Sequence, residues 1–138
     1  MNIADALDRN RTFFPDRDAM VYCGTTWSYG QLWEEANRVA NALAALGVRR
    51  EDKVCVFLSN RPEFILTYYA CQKLGALCVS LSSMSKAHEV EYMANDSEGV
   101  VLVCEDSLMN EVPARSAIPG VRAVIDVDGT RGDRTWAD

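Results

Sequence analysis

The sequence predicts an α/β fold: an open, mostly parallel sheet with helices on both faces, preceded by a helix and a β-hairpin. Two observations predict it. Short apolar runs without polar alternation recur at 53–58, 76–79, 100–104 and 121–127, as in strands buried on both faces. Helical stretches stand between them, opened by Ser or Pro and closed by Gly. The order after the hairpin, α-β-α-β-α-β-(α)-β, is that of a parallel sheet wound with crossover helices.

Asn2 caps a first helix over 3–13, with Asp5 in its first turn, and Pro15 ends it. The run 19–23, a turn at Gly24-Thr25 and Thr26-Trp27 read as the hairpin. Ser28 and Gln31 have capping-box spacing and open the clearest helix, 28–47. Leu32, Ala36, Val39, Leu43 and Leu46 form its apolar stripe, Glu34 can pair with Arg38, and Gly47 supplies the left-handed end. Pro62 starts the next helix, which Gly75 stops after Leu74. Ser85 caps a helix to about Ser97. A weaker helix is expected over 107–116, before the last strand, 121–127.

The 63–74 helix is unusual. Phe64, Ile65, Leu66, Tyr68, Tyr69, Ala70 and Cys71 point in every direction, and only Glu63, Gln72 and Lys73 are strongly polar. Such a helix is buried all round. This predicts a surface that a partner, or further chain, covers.

Composition excludes several classes. The chain has 138 residues, 49% hydrophobic and 25% charged, which fits one compact domain and not a disordered tail. Fourteen Lys and Arg against 20 Asp and Glu leave a net charge of −6, so no nucleic-acid partner is expected. No apolar run reaches 18 residues, so no membrane span is expected. The start, Met1-Asn2-Ile3-Ala4-Asp5, has no basic n-region and no apolar h-region, so no signal peptide is expected, and Cys23, Cys55, Cys71, Cys78 and Cys104 lie in apolar runs without Cys-x-x-Cys spacing. They read as reduced, buried thiols of a cytoplasmic protein.

No residue pattern assembles a catalytic, cofactor-binding or metal site. The turn after the first parallel strand, Ser59-Asn60-Arg61-Pro62, has no glycine fingerprint for a dinucleotide. Gly129 and Gly132 lie in a loop that lacks the Lys-Ser/Thr of a phosphate loop. Glu105-Asp106 follows a strand end, as a receiver-type acid would, but equally serves as helix-start acids. His88 has no orienting partner and reads as a solvated helix residue. Ser59, Ser80, Ser82, Ser83 and Ser85 lie outside any Gly-x-Ser-x-Gly elbow.

Several stretches carry a resemblance to one family. Trp27-Ser28-Tyr29-Gly30-Gln31-Leu32 resembles a Leu-Thr-Tyr-x-Glu-Leu segment, and Ala36-Asn37-Arg38-Val39-Ala40 an Ala-Asn-Arg-Leu-Ala segment. Leu46-Gly47-Val48 and Glu51-Asp52-Lys53-Val54 follow at the right spacing. Ser59-Asn60-Arg61-Pro62-Glu63-Phe64 is similar to Pro-Asn-Ser-Pro-Glu-Phe, and Lys73-Leu74-Gly75-Ala76 to Lys/Arg-x-Gly-Ala. Asp96-Ser97 before Val101-Leu102-Val103 continues the match, and Thr135-Trp136-Ala137-Asp138 looks like the first turn of a helix. Ser80 and Ser82-Ser83 depart from the family's Pro and Asn or Asp-Pro. Together these segments resemble the N-terminal subdomain of the adenylate-forming (AMP-binding) acyl-CoA synthetases.

The resemblance implies an incomplete N-terminal subdomain over 1–127 and, over 128–138, a tail that begins a truncated element. It implies a fragment of an enzyme that joins a carboxylic or fatty acid to CoA with ATP, giving acyl-CoA, AMP and pyrophosphate. The full-length family uses ATP, Mg and CoA. The phosphate loop, ribose-binding Asp and catalytic Lys have no counterparts here, so the chain itself is expected to be inactive, with no cofactor of its own. Its expected partner is the missing downstream synthetase region, or a second copy through the 63–74 helix. The alternative is a stand-alone module that docks a partner through that helix. A receiver- or flavodoxin-like domain would need an acidic pocket or flavin loop that the sequence lacks.

Overall fold

The computed structural model describes residues 2–129 and 131–137. Helix α1 (Ile3–Phe13) starts at Asn2, whose side chain accepts from the Ala4 and Asp5 amides while Asp5 accepts from the Asn2 N–H. Strands β1 (Asp18–Tyr22) and β2 (Thr25–Ser28) form the antiparallel hairpin. Its turn falls at Cys23-Gly24, one residue earlier than expected, with φ of 46° and 79°. Positive φ at both centres matches the twist of a two-residue hairpin loop. Cys23 is therefore exposed, a correction to the expectation that all five thiols are buried; Cys78 is half-buried.

Helix α2 (Tyr29–Ala45) opens with the expected capping box: Ser28 Oγ accepts from the Gln31 amide and Gln31 accepts from the Ser28 N–H. Leu32, Ala36, Ala40 and Leu43 are buried, whereas Val39 and Leu46 lie at the margin. The buried face is thus rotated slightly toward Ala40, whose small side chain lets the helix approach its neighbours. Arg38 pairs with Glu35 at 2.6 Å rather than with Glu34.

The sheet contains β3 (Lys53–Phe57), β4 (Leu77–Ser80), β5 (Gly99–Cys104), β6 (Ala123–Asp126) and β7 (Arg134–Thr135), in the spatial order β4-β3-β5-β6-β7. Every neighbouring pair is parallel. Alternate strand residues feed two separate cores. Val54, Val56, Val101, Val103 and Ile125 meet α2 and α3 (Pro62–Leu74) on one face. Cys55, Phe57, Leu102, Cys104 and Val124 meet α4 (Ala87–Asp96) and the segment after β5 on the other.

Three expectations are corrected. Lys86, not Ser85, is the residue before α4; the Glu89 carboxylate accepts from its N–H, and Ser85 is buried in the preceding turn. The helix expected over 107–116 is two short 3₁₀ segments, Asp106–Glu111 and Arg115–Ala117, because Pro113 removes a donor and restricts the residue before it. Thr135 belongs to β7 and not to a helix, while Trp136-Ala137 form a turn; Asp138 lies outside the described residues. Gly132 makes β7 possible: a Cβ there would stand 2.5 Å from the Val124 carbonyl oxygen.

The all-apolar helix also finds its cover. Gly75 ends α3 with φ of 70°, as expected. Ala70 and Cys71 face the sheet, while Leu66 and Tyr69 pack against Leu7 of α1 and Leu32 and Ala36 of α2. The α1–α2 layer covers much of the surface expected to be open. Ile65, at 38%, is the large apolar side chain of α3 left exposed.

Candidate functional site

From β3 the chain crosses through α3 to β4 on one side; from β4 it returns through α4 to β5 on the other. The winding direction reverses between β3 and β5. In open parallel sheets the crevice outside the carboxyl ends of such strands is where ligands bind. Here the crevice is built by Ser59–Pro62 after β3, Glu105-Asp106 after β5 and Asp126–Asp128 at the end of β6.

That crevice is filled by the chain's own charges. Glu105, 8% exposed, accepts from the Ser59 N–H and Ser59 Oγ, both at 2.8 Å, and from Ser107 Oγ at 2.7 Å. Arg61 donates to Asp128 through two nitrogens at 2.8 and 2.6 Å, and to Glu63 at 2.8 and 3.3 Å. Its Nη1 lies 3.9 Å from Glu105. Asp126 is fully buried and accepts from the Asp128 and Arg131 amides, closing the loop after β6.

The electrostatics follow from these contacts. Burial raises the Glu105 carboxyl, but the Ser59 and Ser107 hydrogen bonds and Arg61 outweigh it and hold it below the usual range. The Arg61 guanidinium holds Asp128 low as well. Both are carboxylates at neutral pH with their lone pairs already engaged. They present negative charge to any phosphate, and the donors are spent on the chain itself. Among the described residues no three His, Cys, Asp or Glu side chains converge to hold a metal ion.

The other residues weighed from the sequence lie apart. His88 is exposed on α4 beside Glu91 and Tyr92. Ser80 and Ser83 are exposed, and Ser82 Oγ accepts from the Met84 amide. Burial pushes the Cys104 thiol up to about 12 and raises Cys55. A second concavity of about 550 Å³ lies between α2 and β6–β7, lined by Val39, Ala42, Leu46, Ile125 and Trp136. Glu35, Arg38 and Arg134 also line it.

The geometry is that of a wound sheet whose crevice is bridged by the Arg61 ion pairs. The family described as AMP-binding enzyme matches residues 7–137. The chain belongs to that family. A medium/long-chain-fatty-acid–CoA/3-oxocholest-4-en-26-oate–CoA ligase of Mycolicibacterium smegmatis is 33% identical over 138 residues, covering 96% of this chain and 24% of that protein. The long-chain-fatty-acid–CoA ligase FadD13 of Mycobacterium tuberculosis is 32% identical, covering 99% and 26%. Among solved structures, a fatty acyl CoA synthetase of Mycobacterium tuberculosis superposes with a TM-score of 0.85 at 28% identity, over 92% of this chain and 26% of that one. The anthranilate CoA ligase AuaEII, in complex with anthranoyl-AMP, gives 0.89 at 26% identity, over 95% and 26%. The chain thus spans about a quarter of the length of these relatives.

Sequence reasoning missed Arg61 and Asp128. Their pairing spans 67 residues, so no local spacing announces it. The one usable sign was the family's small polar residue replaced here by a long cation at Arg61.

Proposed function

We propose that the chain is the N-terminal part of an AMP-forming acyl-CoA ligase acting on a carboxylic acid of the fatty-acid class. In the complete enzyme a carboxylate attacks the α-phosphate of ATP, pyrophosphate leaves, and CoA displaces AMP. ATP, Mg and CoA belong to that complete enzyme. The single observation that carries the reading is the family match across 7–137, together with relatives named as fatty-acid–CoA ligases at 32–33% identity.

This chain serves as scaffold and is inactive alone. Its crevice is closed by Arg61, Glu105 and Asp128, and its sequence lacks a phosphate loop. Its partner is the downstream synthetase region, with the apolar concavity between α2 and β6–β7 as a seat. Self-association through the 63–74 helix is the competing association, narrowed by the cover that α1 and α2 give. A cytoplasmic location belongs to the same reading, supported by five free thiols. No helix among the described residues is long and apolar enough to cross a membrane. Titration calorimetry with ATP is expected to show no saturable binding at micromolar concentration. Saturable micromolar binding contradicts the scaffold reading.

A further inference from the structure

The end of α3 brings two thiols together. Cys71 lies in the last turn of that helix and is fully buried against the sheet. Gly75 turns the chain with φ of 70°, and the Ala76 amide donates to the Cys71 carbonyl at 2.9 Å. The chain thereby enters the sheet at once as β4, the outer strand, whose one neighbour among the described residues is β3. Cys78 stands opposite Val54 in that register and packs on the same core as Val54 and Cys71. The Cys71 S–H donates to Cys78 Sγ. Ser80, two residues along β4 and therefore on the same face, is exposed and also hydrogen-bonds Cys78.

The two sulfurs are unequal. Cys71 is buried, whereas Cys78 is half-buried on the strand at the sheet's margin. The Cys71 S–H holds the Cys78 thiol below its ordinary range, against burial and with help from Ser80. The same bond and burial hold the Cys71 thiol high. The thiolate is the nucleophile, so Cys78 is the sulfur that reacts first and Cys71 the one that follows. The remaining thiols are placed differently. Cys55 and Cys104 are buried on the opposite face of the sheet, where burial raises both. Cys23 is exposed at the hairpin turn beside Tyr22.

We propose that Cys71 and Cys78 are a reversible oxidation site, converted to a disulfide by a hydroperoxide and restored by a thiol. The Cys78 thiolate attacks one peroxide oxygen; the O–O bond breaks, and hydroxide leaves and takes up a proton as water. This leaves a sulfenic acid on Cys78. The Cys71 sulfur then attacks Cys78 Sγ, the S–O bond breaks, and the departing hydroxide takes the Cys71 proton as a second water. Two thiols and one hydrogen peroxide thus give one disulfide and two waters. A small oxidant suits a half-buried sulfur. The product ties the C-terminal turn of α3 to the outer strand, and two thiol–disulfide exchanges with an added thiol undo it.

The experiment treats the dilute folded chain with limiting hydrogen peroxide near neutral pH, alkylates the remaining thiols and digests with trypsin. Cleavage after Lys73 separates the two cysteines, so their disulfide is read by mass spectrometry as a linked peptide pair that dithiothreitol splits. The Cys71–Cys78 link is expected to exceed every other cysteine pair at least about fivefold, and the Cys78 thiol to be lost at least about tenfold faster than that of Cys104. In Cys71→Ser the sulfenic acid on Cys78 has no resolving thiol, and dimedone is expected to capture it at least about fivefold more than in the wild type. The wild-type peptides decide the matter where that variant does not fold. A Cys71–Cys78 link no more abundant than other pairs, or Cys78 oxidised without the link, overturns the proposal, as does equal dimedone capture by the two folded proteins.

Discussion

The apolar seam beneath α2 and the polar crevice at the carboxyl ends of β3, β5 and β6 lie on one sheet but are held in opposite ways. In the seam, Ala40, Leu43, Val103 and Ile125 meet with no charge between them. In the crevice, Arg61 gathers Glu63 and Asp128 and stands beside Glu105. The seam stabilises by removing apolar surface from water, independently of pH. The crevice depends on ionised carboxylates, and it uses for internal bonds the groups that a ligand site would leave open. At the position where open parallel sheets take ligands, this chain carries a clasp of ion pairs.

The largest expected effect tests the seam. Leu43 is 1% exposed, and Leu43→Ala is expected to cost about 2–5 kcal/mol in urea melts, the range for a buried Leu truncation. A loss below about 1 kcal/mol would place Leu43 outside the core. Next is the clasp. Arg61→Ala leaves Glu63, Glu105 and Asp128 without their common cation and is expected to cost about 1–3 kcal/mol at neutral pH. Part of that difference should vanish in acid, as the carboxylates become protonated; a difference unchanged down to about pH 3 breaks the comparison.

The pH dependence itself sharpens the contrast. Glu105 and Asp128 have folded-state pKa values below their unfolded ones, so their contribution is complete above the ordinary carboxylate range of about 4. It is lost as pH falls through the depressed folded values. Thermal melts of the wild type should therefore weaken toward low pH, and less steeply in Arg61→Ala. The smallest effects lie on the solvent side of α2. Glu35→Ala, which breaks the exposed pair with Arg38, should cost a few tenths of a kcal/mol and lose that effect at high salt, with Glu34→Ala smaller still.

What could be read in the sequence follows the same division. The Ser28–Gln31 box and the Gly75 stop are local signals and stand where the sequence puts them, because neighbours three or four residues apart encode them; the α2 stripe holds at Leu32, Ala36 and Leu43 but turns toward Ala40, leaving Val39 and Leu46 at the margin. The Glu34–Arg38 pairing failed because three- and four-residue spacings compete on a helix and rotamers choose. The region after Cys104 was the least legible. Its two 3₁₀ segments hold no period, and β7 is two residues long, placed by a Gly132 close approach and by Asp133 accepting from the Val124 amide at 2.7 Å. The cover of α3 was also hidden. Periodicity shows that a helix is apolar all round but not which element lies on it, and α1 could be assigned there only in three dimensions. The clasp was invisible for the same reason, since Arg61 and Asp128 meet across 67 residues.

We propose that this chain is a scaffold which needs the remainder of a synthetase to do chemistry. Acid-dependent exchange of labelled pyrophosphate into ATP tests it most directly, with a fatty acid as substrate. The assay compares this chain alone, the separately expressed remainder of the Mycobacterium tuberculosis FadD13 ligase alone, and the two mixed at equal concentration. No exchange by this chain is expected at any concentration, and the mixture is expected to exceed the remainder alone. Exchange catalysed by this chain alone would contradict it, as would a mixture no more active than its parts and showing no complex in sedimentation.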